Sequence, residues 1–206
     1  MNNRFGKWAT ISALVTSVGY AIPQLLQVAG ILVDPWDRIL IFAPSLALAT
    51  AFVLTMVALH VTTAPAKQIW SFSALALAIM YGVMVSIVYV TQLAIVIPHE
   101  FRGDASGVAL IKCCNPGQFL TAVDLLGYTL MSLATLFAAP VFVGIGVGRT
   151  VRIWFIANGI LAPFLFMQFV FPQLIYIGAL WLITFPTAMF FLALYFLNEE
   201  KLIARN

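Results

Sequence analysis

The stretch VRIWFIANGILAPFLFMQFVFPQLIYIGALWLITFPTAMFFLALYFL, residues 151–197, decides the fold. Its single charged side chain is Arg152. As one helix rising 1.5 Å per residue it would reach about 70 Å. Hydrocarbon is only about 30 Å thick. The stretch is therefore too long for one crossing and sufficient for two, with Pro172-Gln173 as the break.

Working outward, the same criterion of about 20 mostly apolar residues per crossing marks four earlier runs. The six expected spans are residues 8–33, 39–62, 69–97, 119–147, 151–171 and 174–197. Between them lie Asp34-Pro35-Trp36-Asp37-Arg38, Ala64-Pro65-Ala66-Lys67-Gln68, and a longer connection, 98–118, which holds Pro98, Gly103, Gly107 and the turn sequence Asn115-Pro116-Gly117. Gly144, Gly146 and Gly148 loosen the end of the fourth span. Gly19-Tyr20-Ala21 resembles a signal-peptidase site after Arg4 and Lys7, but apolar sequence continues past it, so the first span is expected to be retained.

Composition agrees. Of 206 residues, 63% are hydrophobic and 8% charged, and the mean hydropathy is +1.06. Soluble domains carry about 25% charged residues. The expectation is an all-α polytopic bundle in a single transmembrane domain over residues 1–206. With the N-terminus cytoplasmic, Arg4, Lys7, Lys67, Arg149, Arg152, Lys201 and Arg205 lie inside, against Arg38, Arg102 and Lys112 outside. Seven against three places both termini in the cytoplasm and 98–118 outside. The net charge of +3 is read as insertion signals at span ends, not as a nucleic-acid surface.

Of seven acidic residues, Asp34, Asp37, Glu100, Asp104, Glu199 and Glu200 are expected in loops or tails. Asp124 alone falls inside a span, where a carboxylate at mid-bilayer costs about 2.5–3.5 kcal/mol on insertion scales. Thr121, Asp124, Tyr128, Ser132 and Thr135 fall on one helical stripe. Thr16, Tyr20, Gln24 and Gln27 repeat the spacing of Asp124, Tyr128, Ser132 and Thr135 in the first span. Tyr81, Tyr89 and Gln92 form a similar arc in the third. Asp124, Tyr128, Tyr89, Gln92, Gln24 and Gln27 should all lie in the outer half of the membrane, where the stripes would converge on an outward-opening polar pocket. The plainer alternative is interhelical hydrogen bonding.

Other polar positions read as structural. Asn158 and Gln168 are expected to pack helices, and His60 to meet headgroups. His99-Glu100 opens like a zinc-protease motif, but Arg102 and Gly103 follow and no second histidine completes it, so no metal site is expected. Nor does any motif call for a cofactor. Cys113 and Cys114 stand side by side in the outer connection. Unpaired thiols are the simpler reading, and pairing with another chain or with each other the alternatives. Pro23, Pro44, Pro140, Pro163 and Pro186 lie within spans and should kink them. Trp8, Trp36, Trp70 and Trp154 sit near span ends as interfacial anchors, with Trp181 the exception.

Asp124-Leu125-Leu126-Gly127-Tyr128-Thr129-Leu130-Met131-Ser132-Leu133 is similar to a stretch found in uncharacterised bacterial multi-pass membrane proteins. Asp124, Gly127 and Tyr128 are the matching positions. The resemblance implies a small protein of the bacterial plasma membrane and carries over no activity. Small-solute binding or proton-linked transport around Asp124 is the leading functional expectation. A membrane-embedded enzyme acting on a lipid or quinone, with Asp124 and Tyr128 as an acid–base pair, and a non-catalytic subunit or sensor are the alternatives. Membrane lipid and a small molecule or proton are the expected partners, with no nucleic acid. An oligomer is compatible with the sequence.

Overall fold

Bilayer hydrocarbon offers no partner for backbone N–H and C=O groups, so an apolar run that crosses it satisfies them internally, as helix. The computed structural model describes residues 2–104, 106–115 and 117–203. Within these the chain is all-helical, with no strand. Six helices are long and apolar enough to cross a membrane: α1 (Asn2–Val28), α2 (Trp36–Thr62), α3 (Pro65–Phe101), α4 (Phe119–Val141), α5 (Val147–Met167) and α6 (Pro172–Glu200).

The ends differ from the hydropathy boundaries for local reasons. α1 begins at Asn2, not near residue 8, and Lys7 in this first stretch pairs with Glu200 of α6 at 2.6 Å. It ends at Val28, before Gly30 turns the chain at φ +70°. α4 stops at Val141, not at residue 147, because Gly144 and Gly146 take φ of +96° and +81°. α3 continues past residue 97 and carries a π-helical turn, Gln92–Val96, just ahead of Pro98. α5 breaks after Gly159 and restarts with Pro163 in the first turn of its second segment, where a missing N–H costs nothing.

Each helix packs on its sequence neighbours, and α6 returns to α1, closing a ring. In lipid, helices associate through close van der Waals packing and not through loss of apolar surface from water. Small residues accordingly line the contacts: Ala13, Ala74, Ala78, Ala134, Ala138 and Ala188 are fully buried. Gly127 and Gly159 mark two of the close approaches. A Cβ on Gly127 would stand 2.6 Å from Val85 Cγ1, and one on Gly159 would stand 2.5 Å from Leu136 Cβ. The outer surface is apolar, with Val15, Ile22, Ile69, Ile79, Val83, Ile87, Ile183 and Phe190 exposed.

The ring is solid at mid-depth. Phe52 of α2 meets Tyr81 of α3 and Phe185 of α6 edge-on, at centroid distances of 5.7 and 5.4 Å. Phe185 stacks in turn on Trp181 at 4.9 Å. On one side of this plug the helices part around a cavity.

Candidate functional site

The cavity has a volume of about 560 Å³ and all six helices contribute to its wall. Its floor is aromatic. Tyr20 of α1, Tyr128 of α4 and Trp181 of α6 meet there, with Trp181 edge-on to both tyrosines at 5.6 and 5.1 Å. On the α2–α3 side Phe42 stacks against Tyr89 at 5.6 Å, and the Tyr89 and Tyr128 hydroxyls are hydrogen-bonded at 2.9 Å.

Five of the six residues expected at a pocket line this cavity: Asp124, Tyr128, Tyr89, Gln24 and Gln27. Gln92 does not. Its Nε2 donates to Ile111 O at 2.8 Å and its Oε1 accepts from Cys113 N at 3.1 Å. It therefore clamps the α3–α4 connection, including Cys113, which itself lines the cavity.

The glutamines of α1 bond away from Asp124. Gln24 Nε2 donates to Gln27 Oε1, and Gln27 Nε2 donates to Asp37 Oδ2, both at 2.8 Å. Asp37 Oδ1 also accepts from Arg38 N at 2.7 Å. The expectation that Asp37 and Glu100 lie in loops is corrected here, as are those for Glu199 and Glu200: all four stand on helices. Asp37 is buried in the cavity wall. It is tolerated there because it occupies the first turn of α2, where a carboxylate faces the positive end of the helix dipole.

Asp124 is treated differently. It stands on α4 just inside the cavity mouth, and its Oδ1 is buried without a hydrogen-bond partner in the protein. Trp181 Nε1, at the floor, is likewise buried and unpartnered. A buried polar group that lacks a partner costs about 1–3 kcal/mol, more if charged. Two cavity-lining residues thus each carry a buried polar atom, one acceptor and one donor, that the fold itself does not pair. The basic residue in the wall, Arg38, is engaged elsewhere. It pairs at 2.5 Å with both Asp34 and Glu100, and Glu100 also pairs with Lys112. This network joins the α1–α2 turn, α2, the end of α3 and the following connection at the mouth.

Cys113 and Cys114 are joined in a disulfide, so the unpaired-thiol reading is corrected. Both cysteines line the cavity. Cys114 holds φ at +88°, a left-handed conformation rare for a residue with a Cβ. Its N–H is taken by Thr121 Oγ1 of α4 at 2.8 Å. The two sulfurs and an Asp124 carboxylate oxygen lie within 4.8 Å of one another. Joined sulfurs offer no thiolate, so the trio is no metal site in this state.

Gln168 is buried in the cavity wall, whereas Asn158, His60 and His99 lie outside the cavity. Asn158 sits in the far half of the bundle, donating from Nδ2 to Thr135 Oγ1 and accepting at Oδ1 from Thr184 Oγ1, each at 3.0 Å. His60 Nδ1 lies 3.0 Å from Ser71 Oγ, and His99 Nδ1 lies 2.9 Å from Ile95 O. The two histidines sit at opposite ends of the bundle, at the close of α2 and of α3.

Sequence reasoning passed over Trp181, Phe42 and the disulfide as parts of this wall. For Trp181 a signal was present: it is the one tryptophan away from a span end. Phe42 had none, since one phenylalanine among 17 carries no mark of its position. No family model, curated protein or solved structure matches the chain.

Proposed function

We propose that the protein is a small-solute binding or transport protein of the bacterial plasma membrane, with both termini cytoplasmic and the cavity opening outward. The observation that carries this reading is Asp124 in the wall of a 560 Å³ cavity, with its Oδ1 buried and without a partner in the fold. Retaining a carboxylate at membrane depth favours a partner that arrives from outside the fold.

The wall chemistry points to the class of solute. Five aromatic side chains, Tyr20, Tyr128, Trp181, Phe42 and Tyr89, line the space. An aromatic ring attracts a cation through its quadrupole, by about 0.5–2 kcal/mol per ring depending on solvation. Arg38, the competing cation, is neutralised by Asp34 and Glu100. A small organic ammonium would place its charge against Asp124. Proton coupling fits the same carboxylate, which can carry a proton when the cation is absent.

The test is a titration of the detergent-solubilised protein with small primary and quaternary ammonium compounds, read by tryptophan fluorescence. Trp181 is the one tryptophan in the cavity wall. Saturable quenching is expected in the native protein and should vanish in Trp181→Phe. In vesicles, Asp124→Asn should abolish uptake while the variant still folds. Unchanged uptake in Asp124→Asn would sink the reading.

A further inference from the structure

We propose that the Cys113–Cys114 disulfide is a thiol–disulfide exchange site, reached through the cavity by small thiols, with Asp124 moving the proton. The proposal does not depend on what else the cavity binds.

Four observations converge on it. The disulfide forms part of the cavity wall. The two cysteines are unequal, since Cys114 is exposed and Cys113 is 8% exposed. A carboxylate oxygen of Asp124 lies within 4.8 Å of both sulfurs, while Asp124 Oδ1 has no partner in the fold. Finally, the backbone around the pair is held independently of the S–S bond. Cys113 N bonds Gln92 Oε1, Cys114 N bonds Thr121 Oγ1, and Ile111 O accepts from Gln92 Nε2. Opening the disulfide leaves those three clamps in place, so the site can survive reduction. The chain has no third cysteine to divert the exchange.

Access decides which sulfur is attacked. A small thiol gives its proton to the Asp124 carboxylate, and the resulting thiolate attacks Cys114 Sγ. A bond forms between the incoming sulfur and Cys114 Sγ, the Cys113–Cys114 bond breaks, and Cys113 leaves as a thiolate. Asp124 returns the proton to Cys113. A second thiol then attacks the incoming sulfur of the mixed disulfide, which releases the small-molecule disulfide and leaves Cys114 as a thiol. Two thiols are oxidised to one disulfide, and the protein disulfide takes up two electrons and two protons.

The experiment uses the full chain, purified in detergent without reductant. It is treated with 2-mercaptoethanol or with glutathione, quenched with a maleimide at intervals, and read by intact mass. The neutral 2-mercaptoethanol probes the disulfide alone. A comparison with the similarly sized but cationic cysteamine reads the ammonium preference separately, so the two proposals fail independently.

Two maleimides should add per native chain after 2-mercaptoethanol and none before it. Reduction by the small thiol should outpace that by bulkier glutathione by about tenfold or more. Asp124→Asn should slow reduction and flatten its pH profile, and Asp124→Glu should restore both in part. An unchanged gel-filtration profile and α-helical circular dichroism show that the variants fold. Free thiols in the untreated protein, reduction that requires unfolding, or an unaltered rate and pH profile in Asp124→Asn would each overturn the proposal.

Discussion

Tyr20 of α1 and Tyr128 of α4 meet across the helix ring with their centroids 6.5 Å apart, although their helices share no extended contact. The two residues hold equivalent places in the polar spacing that α1 and α4 have in common. Because the two helices cross in opposite senses, Gln24 and Gln27 lie above Tyr20, while Asp124 and Thr121 lie above Tyr128. The cavity is thus built from opposite walls by the last turns of α1 and the first turns of α4, with the tyrosines as its floor.

That floor should separate shape from hydrogen bonding. Tyr128→Phe keeps the edge-on contact with Trp181 and loses only the bond to Tyr89. We expect a loss of about 1–3 kcal/mol in stability, because the buried Tyr89 hydroxyl is left without this partner. Tyr128→Ala removes the ring between the cavity and the Tyr81 plug and should cost about 3–5 kcal/mol. Thermal unfolding in detergent would rank them. Equal losses would show that the ring does not seal the floor.

Asp124 should be a residue whose removal harms function and spares stability. Asp124→Asn keeps the side-chain volume and lowers the cost of a carboxylate at membrane depth, about 2.5–3.5 kcal/mol on insertion scales. Its melting temperature should stay level or rise, while affinity for the ammonium probes falls by about tenfold or more. A marked drop in melting temperature would instead show that Asp124 is a structural hydrogen-bonding group.

Much of this fold is legible in apolar run length, because each run must satisfy its own backbone in lipid. The near-absence of charge over 151–197 was enough to demand two helices. What run length does not carry is the helix end. Lys7, Glu100 and Glu200 lie on helix ends that reach past the apolar runs and make ion pairs across the bundle, and hydropathy has no knowledge of partners. The same limit applies at the site. Helical spacing placed Asp124, Tyr128, Tyr89, Gln24 and Gln27 on facing stripes. It could not tell that Gln92 would turn to the connection, that Gln27 would serve Asp37, or that two adjacent cysteines would be joined.

The glycines at helix contacts should respond unequally to a single methyl group. A Cβ on Gly127 meets Val85 Cγ1, the tip of a side chain. Gly127→Ala should therefore destabilise by about 1–3 kcal/mol, the usual cost of overpacking, and Val85→Ala should recover part of that loss. A Cβ on Gly159 meets Leu136 Cβ at 2.5 Å and Leu136 Cα at 3.0 Å, which trimming the leucine beyond Cβ does not move. Gly159→Ala should cost at least as much and resist rescue by Leu136→Ala. Equal rescue at both sites would contradict the closer α4–α5 approach.

Asn158 should be the strongest polar tie in the bundle, because it joins three helices at once. It is fully buried on α5, donates to Thr135 of α4 and accepts from Thr184 of α6. Interhelical hydrogen bonds in membranes average about 0.6 kcal/mol and reach about 1.7 kcal/mol. Losing both bonds in Asn158→Ala should cost about 1–3 kcal/mol, with no effect on a cavity at the other end of the ring. Thr135→Val and Thr184→Val each remove one bond but leave Asn158 with an unsatisfied group, so each should cost more than half of the Asn158→Ala loss. In a double-mutant cycle, Thr135→Val on the Asn158→Ala background should then cost almost nothing. Full additivity there, measured by unfolding in detergent, would mean that Asn158 and Thr135 do not share a bond.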